Sequence, residues 1–168
     1  MSDKIYLSLG SNISDREANL AGAITILGEY RENTELKSAS FYSSEPLFNT
    51  DQPRFLNTVV ELNSTFTAFE FLDEIKNIEK LLGRPSRHKK NAPRTIDIDI
   101  LTFQDAFLET EELSIPHPGI PNRRFVLVPL YELAPNYLIP GWKINVKELL
   151  KNCTDKSEVV KHRIESNA

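Results

Sequence analysis

Residues 94–101 read RTIDIDIL, a stretch in which isoleucines alternate with aspartates. In an extended chain, successive side chains point to opposite faces of the strand. One face of this predicted strand is therefore apolar and β-branched, while the other carries Asp97 and Asp99 about 6–7 Å apart, two residues of strand rise. Carboxylates this close repel each other and are costly to bury in a core. The alternation thus predicts a strand with one core-facing side and one acidic side that needs cations.

Strands and helices alternate along the rest of the chain. Two capping boxes predict helix starts, SDRE at 14–17 with Ser14 as N-cap and TAFE at 67–70 with Thr67 as N-cap. The first helix is expected to stop near Gly28, and Gly83 is placed to end the second. Three further strand-like segments are predicted at 4–9, 36–43 and 55–63.

The resulting order, β-α-β-β-α-β, is the ferredoxin-like split pattern of an α+β fold. It predicts an antiparallel sheet with helices on one main face, which leaves the other face free for Asp97 and Asp99. Additional C-terminal elements are expected as an extended segment near 107–115 and a short helix at 124–133.

Composition predicts one domain, residues 1–168, whose polar end at 154–168 forms a partly exposed tail. The net charge of −4 argues against a protein that coats nucleic acid or an anionic membrane. Cys153 is the only cysteine, so the chain cannot form an internal disulfide. No stretch resembles a signal peptide or a membrane span, and we expect a cytoplasmic protein.

A basic segment, RPSRHKKNAPR at 84–94, directly precedes the acidic strand. It holds five lysines and arginines of the chain's 20, together with His88, and no acidic residue. Such a charge run is most often a solvated loop. Here it ends at two carboxylates that share a face, and carboxylates attract Mg²⁺ while lysine and arginine attract phosphate oxygens. The combination indicates a site for a nucleoside triphosphate that chelates magnesium.

Five motifs make the chain resemble the 6-hydroxymethyl-7,8-dihydropterin pyrophosphokinase family. They follow the family's order and cover most of residues 4–135, and they read YLSLGSNISDRE (6–17), DQPRFLNTVVEL (51–62), IEKLLGR (78–84), KNAPRTIDIDIL (90–101) and IPHPGIPNRRFVLVPLYELAP (115–135). The resemblance implies transfer of pyrophosphate from ATP to 6-hydroxymethyl-7,8-dihydropterin in folate biosynthesis, with AMP as the second product.

The resemblance also implies the roles of individual residues. Asp97 and Asp99 would hold two Mg²⁺ ions, and with Arg84 and Arg94 they would form the catalytic set. The residues implied to bind ATP are Glu79, Arg84, Lys90, Arg94, Ile100, His117 and Arg123. The residues implied to bind the pterin are Ser44, Leu47, Phe55, Asn57 and Phe125. Taken singly, a phenylalanine of this kind is usually a core residue, and each charged group could be a surface ion pair.

The basic segment and the 44–54 segment are both polar and have few apolar anchors, so we expect them to close over the bound substrates. Asn91 stands where bacterial relatives commonly carry a tryptophan that helps this closure. His88 and Lys89 are candidates to contribute instead.

Two other functions are compatible with parts of the sequence. A nucleotidyltransferase would also use a Gly-Ser turn and an Asp-x-Asp strand, although here Gly10-Ser11 precedes Asp97 by more than eighty residues. A non-catalytic module that binds RNA or a small effector would suit the aromatics and the basic segment. The net charge and the paired carboxylates disfavour RNA. The expected partners are therefore ATP and the reduced pterin, with no nucleic acid and no membrane, and contact with other folate-pathway enzymes would involve separate chains.

Overall fold

The computed structural model of the protein describes residues 3–46, 51–83 and 95–163. Predictions that concern Leu47, the basic segment with Arg84, Lys90 and Arg94, or the last five residues lie outside these ranges.

The described residues form eight strands and four α-helices. The strands are β1 (Ile5–Ser11), β2 (Asn33–Ser38), β3 (Tyr42–Ser44), β4 (Phe55–Ser64), β5 (Asp97–Phe103), β6 (Leu108–Glu109), β7 (Ser114–Ile115) and β8 (Val159–Lys161). The helices are α1 (Arg16–Glu29), α2 (Ala68–Leu81), α3 (Arg124–Leu133) and α4 (Val146–Asn152), with a 3₁₀ turn at Ile120–Asn122. The predicted helix at 124–133 is confirmed, and the extended segment near 107–115 is the hairpin β6–β7.

The two predicted helix starts differ in outcome. The capping box of α2 is confirmed, because Thr67 Oγ1 accepts from the Glu70 amide and Glu70 Oε1 accepts from the Thr67 amide. Ser14 is not the N-cap of α1: it has a φ of 59°, and the chain turns there before the helix begins. Asp15 takes the position instead and accepts from the Ala18 amide at 3.1 Å. Aspartate and serine cap comparably, so the sequence alone could not choose between neighbours.

The main sheet is antiparallel throughout the described residues. Its strand order is β5-β1-β4-β3-β8, and β2 pairs with β4 beyond the end of β3. The segment expected as one strand at 36–43 is therefore two strands, which lie along the same edge of β4. Because of this break, β2 pairs with the C-terminal part of β4 and β3 pairs with its N-terminal part.

Helices cover both faces of this sheet. On one face, Leu7 and Leu9 of β1 pack with buried residues of α1 and α2 such as Leu20 and Ile75. On the other face, Tyr6 packs with residues of α3 and α4. The expectation that the second face stays free is therefore wrong for the part near Tyr6. The apolar sides of α3 and α4 need a surface to bury, and that part of the sheet provides it.

The segment after α4 is polar and largely exposed, as expected for the tail, but part of it is ordered as a strand. Val159–Lys161 pairs antiparallel with β3 and becomes the edge strand of the main sheet. Within the described ranges, no helix has the length and apolarity needed to cross a membrane.

Candidate active site

The two aspartates lie side by side on the second face of the sheet. Asp97 is paired in register with Gly10 of β1, and Asp99 with Ser8. Gly10 is paired in turn with Asn57 of β4, so these side-chain positions share one face. Both aspartates are half-buried, whereas Ile98 and Ile100 between and after them are buried in the core on the opposite face. The predicted alternation of acidic and apolar faces is confirmed for β5.

The two aspartates lie toward one end of the second face, and α3 and α4 pack toward the other. Tyr6 is paired with Thr102 at one end of the β1–β5 ladder, and Gly10 is paired with Asp97 at the other. The C-terminal helices pack at the Tyr6 end, where Tyr137 donates from its hydroxyl to Thr102 Oγ1. Val59, which lies in the same row as Asp99, belongs to the packed part, so the carboxylates lie at the border of that part.

Glu79 fixes the outer edge of the acidic strand. Its Oε2 atom accepts a hydrogen bond from the Ile98 amide at 3.0 Å, between the two aspartates. Glu79 lies in the last part of α2, on the side that packs toward β5. The sequence resemblance implied that Glu79 binds the nucleotide. In the structure Glu79 also holds β5, the strand that carries both aspartates.

His117 follows β7 and is attached to the end of β5. Its amide donates to the Leu101 carbonyl at 2.8 Å, and the Gly119 amide donates to its Nδ1 atom at 2.9 Å. Because Nδ1 accepts a hydrogen bond, the neutral ring carries its proton on Nε2. Burial and the charge of Arg123 together lower the pKa of His117 to about 4, although Asp97 partly opposes the shift. At neutral pH this side chain is an uncharged donor.

Gly119 allows Arg123 and His117 to approach each other. A Cβ atom at position 119 would stand 2.7 Å from Arg123 Nε and 3.1 Å from His117 Cε1. The Arg123 guanidinium also lies over the Phe125 ring, 6.0 Å from its centroid. Arg123 therefore lies next to both His117 and Phe125, and the space that it occupies is left by Gly119, to which the sequence assigned no role.

A second group of predicted residues surrounds Gly10. Asn57 donates from Nδ2 to Ser44 Oγ, and both residues are buried. A Cβ atom at Gly10 would lie 3.0 Å from Asn57 Oδ1 and 3.5 Å from the Phe55 ring. The absence of a side chain at Gly10 therefore keeps Asn57 and Phe55 next to the backbone of β1. Three of the residues predicted to bind the pterin, Ser44, Phe55 and Asn57, lie together here.

Ile100 is placed differently from the polar candidates. Its side chain is 4 % exposed and belongs to the core beneath the first face of the sheet. Any contact with a nucleotide would therefore have to be made by its backbone.

A cavity of about 550 Å³ opens beside the β6–β7 hairpin. It is lined by Phe107, Leu108, Glu109, Thr110, Glu111, Ser114, Ile115, Pro116, Pro118 and Trp142. This lining includes the two neighbours of His117 in the chain but neither aspartate.

Comparison with known proteins assigns the family. The family model described as 7,8-dihydro-6-hydroxymethylpterin-pyrophosphokinase matches residues 6–135. The chain belongs to this pyrophosphokinase family. The 2-amino-4-hydroxy-6-hydroxymethyldihydropteridine pyrophosphokinase of Bacillus subtilis is 42% identical over 134 residues, which cover 80% of each chain. The enzyme of the same name from Haemophilus influenzae is 35% identical over 150 residues, 89% of this chain and 92% of the relative.

Solved structures agree at the level of the fold. A crystal structure of Plasmodium falciparum HPPK-DHPS A437G with STZ-DHP matches with a TM-score of 0.69 at 16% identity. The match covers 90% of this chain and 45% of that one, so this pyrophosphokinase family member spans less than half the length of the solved chain.

The donor set of this family member fits magnesium when a phosphate ligand is present. Among residues 3–46, 51–83 and 95–163, no group of three or more His, Cys, Asp or Glu side chains is arranged to hold a metal ion. Mg²⁺ commonly takes only one or two protein carboxylates and completes its six oxygen ligands with waters and substrate phosphates. Asp97 and Asp99, on one face and half-buried, meet that requirement.

Proposed function

We propose that the protein transfers pyrophosphate from ATP to 6-hydroxymethyl-7,8-dihydropterin, giving AMP and the pterin diphosphate, in folate biosynthesis. The observation that carries this proposal is the family match over residues 6–135, which includes the paired aspartates of β5. The names of the Bacillus and Haemophilus relatives describe the same reaction class.

The reaction forms a bond between the pterin hydroxymethyl oxygen and the β-phosphorus of ATP. The bond from that phosphorus to the oxygen bridging the α- and β-phosphates breaks, AMP leaves, and the hydroxyl proton passes to solvent. Asp97 and Asp99 would hold two Mg²⁺ ions, which supply charge neutralisation on the phosphates. The protein's own contribution is then mainly to position two substrates in line.

The described residues have suitable chemistry for that positioning. Neutral His117 can donate to a phosphate oxygen from Nε2, and Arg123 beside it can pair with phosphate through its guanidinium. Phe55 and Phe125 would stack on the flat pterin, and Asn57 would read its hydrogen-bonding edge. Arg84, Lys90 and Arg94 would bind the triphosphate, and Ser44 and Leu47 would complete the pterin site; of these, only Ser44 lies within the described residues.

A product assay tests the proposed reaction. Incubation of the protein with MgATP and 6-hydroxymethyl-7,8-dihydropterin should release AMP in amounts equal to the pterin diphosphate. Release of pyrophosphate instead would indicate nucleotidyl transfer, and tight MgATP binding without turnover would indicate a non-catalytic module. Removal of divalent metal with a chelator should abolish turnover, and added Mg²⁺ should restore it.

Substitution of the aspartates tests the metal assignment. Asp97→Asn and Asp99→Asn should each reduce kcat by at least about 100-fold, because each change removes a charged ligand from the centre that neutralises the phosphates. Asp73→Asn, on the exposed side of α2, makes the same charge change away from the site and should keep normal activity. Near-normal activity in either β5 variant would refute the assignment.

Two further statements about the protein are part of the proposal. The order β5-β1-β4-β2 of antiparallel strands, with α1 and α2 on one face, supports the ferredoxin-like assignment. The fused HPPK-DHPS chains among the structural neighbours support contact with other folate-pathway enzymes, which for this chain would be separate cytoplasmic partners.

A further inference from the structure

Residues 153–163, here called the C-terminal strap, lie beyond the part of the chain that matches the family model. The strap begins at the buried Cys153, where α4 ends, and reaches the edge of the main sheet at β8. Along this path it contacts the chain directly beside each of the two aromatic residues assigned to the pterin.

The first contact is at the start of α3. Arg123 occupies the N-cap position of this helix but provides no side-chain hydrogen bond to it. Asp155 of the strap takes over that role, because its Oδ2 atom accepts from the Arg124 amide at 3.0 Å. Its other oxygen, Oδ1, accepts from the Ser157 amide at 2.9 Å. The capped residue, Arg124, immediately precedes Phe125.

Asp155 is ionised at neutral pH, which strengthens this contact. Burial works to raise the pKa of the Asp155 carboxyl, but the hydrogen bonds from the Ser157 and Arg124 amides and the charge of Arg124 lower it below its usual range. A carboxylate at a helix N-terminus is also favoured by the helix dipole.

The second contact is at the strand pair that carries Phe55. Val159 of the strap is paired with Ser44 of β3, and Ser44 is paired in turn with Phe55 of β4. Glu158 forms an ion pair with Arg54, the residue before Phe55, with Oε1 3.4 Å from Arg54 Nη2. Arg54 Nε also donates to Ser43 Oγ at 2.9 Å, so the strap, β3 and the start of β4 are linked.

The far end of the strap is fixed as well. The His162 amide donates to the Phe41 carbonyl at 2.8 Å, and the His162 ring is hydrogen-bonded to Glu17 of α1. The strap is therefore attached at both of its ends as well as at α3 and β3.

We infer that the C-terminal strap, together with the direct packing of α3 on β4, sets the spacing between Phe55 and Phe125, and that Asp155 is a positioning residue for the pterin. This inference rests on the proposed function. The two rings come from parts of the chain seventy residues apart, on β4 and α3, and the strap is a single short segment that holds the backbone beside each. A slot for a flat ring needs a fixed width, since stacking depends on ring separation.

Kinetics of Asp155 variants test the inference. Asp155→Ala removes the acceptor for the Arg124 amide and should raise KM for the pterin several-fold, because the start of α3, which carries Phe125, loses its side-chain cap. KM for MgATP should rise as well, because Arg123, assigned to the ATP phosphates, directly precedes the uncapped Arg124. Asp155→Asn keeps an oxygen acceptor and should restore the pterin KM to within about twofold of the original. Lys156→Ala, an exposed neighbour, should change neither constant.

A second helix cap separates positioning from general stability. Thr67→Ala removes the cap of α2, which lies on the opposite face of the sheet, at similar expected cost. We expect both cap variants to lower Tm but only Asp155→Ala to raise the pterin KM. Equal pterin KM in the two variants would overturn the inference and leave the strap a structural element only. If the wild-type protein neither binds nor converts the pterin, the proposed function fails first, and the inference falls with it.

Discussion

Gly119 shows how a single residue without a side chain can shape the candidate nucleotide site. Its φ of −80° is open to any residue, so the reason for glycine is space rather than backbone conformation. The position of a Cβ atom is occupied by the Arg123 side chain, with Nε at 2.7 Å and Cζ at 2.9 Å. Since an arginine side chain can move, a larger residue here would displace the guanidinium rather than break the fold.

The substitution Gly119→Ala should therefore affect binding more than stability. We expect a loss of MgATP affinity of about 10-fold or more, the effect of a lost hydrogen bond between charged groups. Tm should change by no more than a few degrees. Isothermal titration with a non-hydrolysable ATP analogue measures the affinity, and a thermal melt measures the stability.

Gly28→Ala is the matched control for this change. Position 28 is exposed near the end of α1, and a Cβ atom there meets no other atom within 4 Å. This variant should gain up to about 1 kcal/mol of stability, because alanine favours a helix more than glycine does. Its affinity for the ATP analogue should be unchanged. Equal affinity in both variants would show that Arg123 does not contact the nucleotide.

At the scale of single elements, β5 is the strand on which the proposed chemistry depends, and it lies at an edge of the main sheet. Its inner side is paired with β1, and Glu79 of α2 accepts from the Ile98 amide on its outer side. An edge strand without such a contact is free to shift or to pair with another chain. The helix thus supplies an acceptor that a neighbouring strand would otherwise provide.

Substitutions of Glu79 test this function of α2. Glu79→Ala should destabilise the protein by about 1–3 kcal/mol, because the Ile98 amide loses its acceptor in a half-buried place. Glu79→Gln keeps an oxygen acceptor and should cost less than about 1 kcal/mol. Urea unfolding gives both values, and Lys80→Ala, an exposed change on the same helix, controls for effects on helix propensity. Equal loss in the two Glu79 variants would indicate that its charge, rather than this hydrogen bond, matters.

At the scale of the whole molecule, Glu132 joins the second layer of helices to the strands beneath. It lies near the end of α3, and its two oxygens accept from the Ser40 amide at 2.8 Å and from the Tyr42 hydroxyl at 2.6 Å. Burial works to raise the pKa of Glu132, but these hydrogen bonds and the charge of Lys161 lower it below its usual range. Burial, and then the hydrogen bond to Glu132, raise the pKa of the Tyr42 hydroxyl.

The two hydrogen bonds to Glu132, here called the Glu132 bridge, should make the stability of the folded protein depend on pH in the acidic range. Because the pKa of Glu132 is lower in the folded protein than its ordinary value of 4.5, it contributes stability above that pH. This contribution is lost as the pH falls below 4.5. The difference in Tm between wild type and Glu132→Gln should therefore be largest at neutral pH and shrink in acid. A difference that is constant from pH 3 to pH 7 would contradict the bridge.

A double-mutant cycle measures how much of the stability that Glu132 contributes depends on its partner Tyr42. Tyr42→Phe removes the hydroxyl donor and leaves the ring in place. If the two side chains are coupled, the double variant with Glu132→Gln should be more stable than the sum of the two single losses predicts, by about 0.5–3 kcal/mol.

Local patterns determined much of this protein. The alternation in RTIDIDIL is enough to place the carboxylates on one face of β5, because side-chain direction in a strand depends only on parity. The Thr67 capping box and the helix at 124–133 follow from neighbouring residues in the same way. The identity of the candidate site residues came from motifs, each of which is also a local pattern.

Only the tertiary structure decided how these pieces meet. The packing of α3 and α4 on the second face, the pairing of β8 with β3, and the approach of Asp155 to Arg124 all join residues distant in the chain. Such contacts depend on which apolar surfaces and unpaired strand edges remain once the first sheet has formed. A short stretch of sequence does not determine which of several comparable surfaces its side chains will cover, because that choice depends on the geometry of the folded layers.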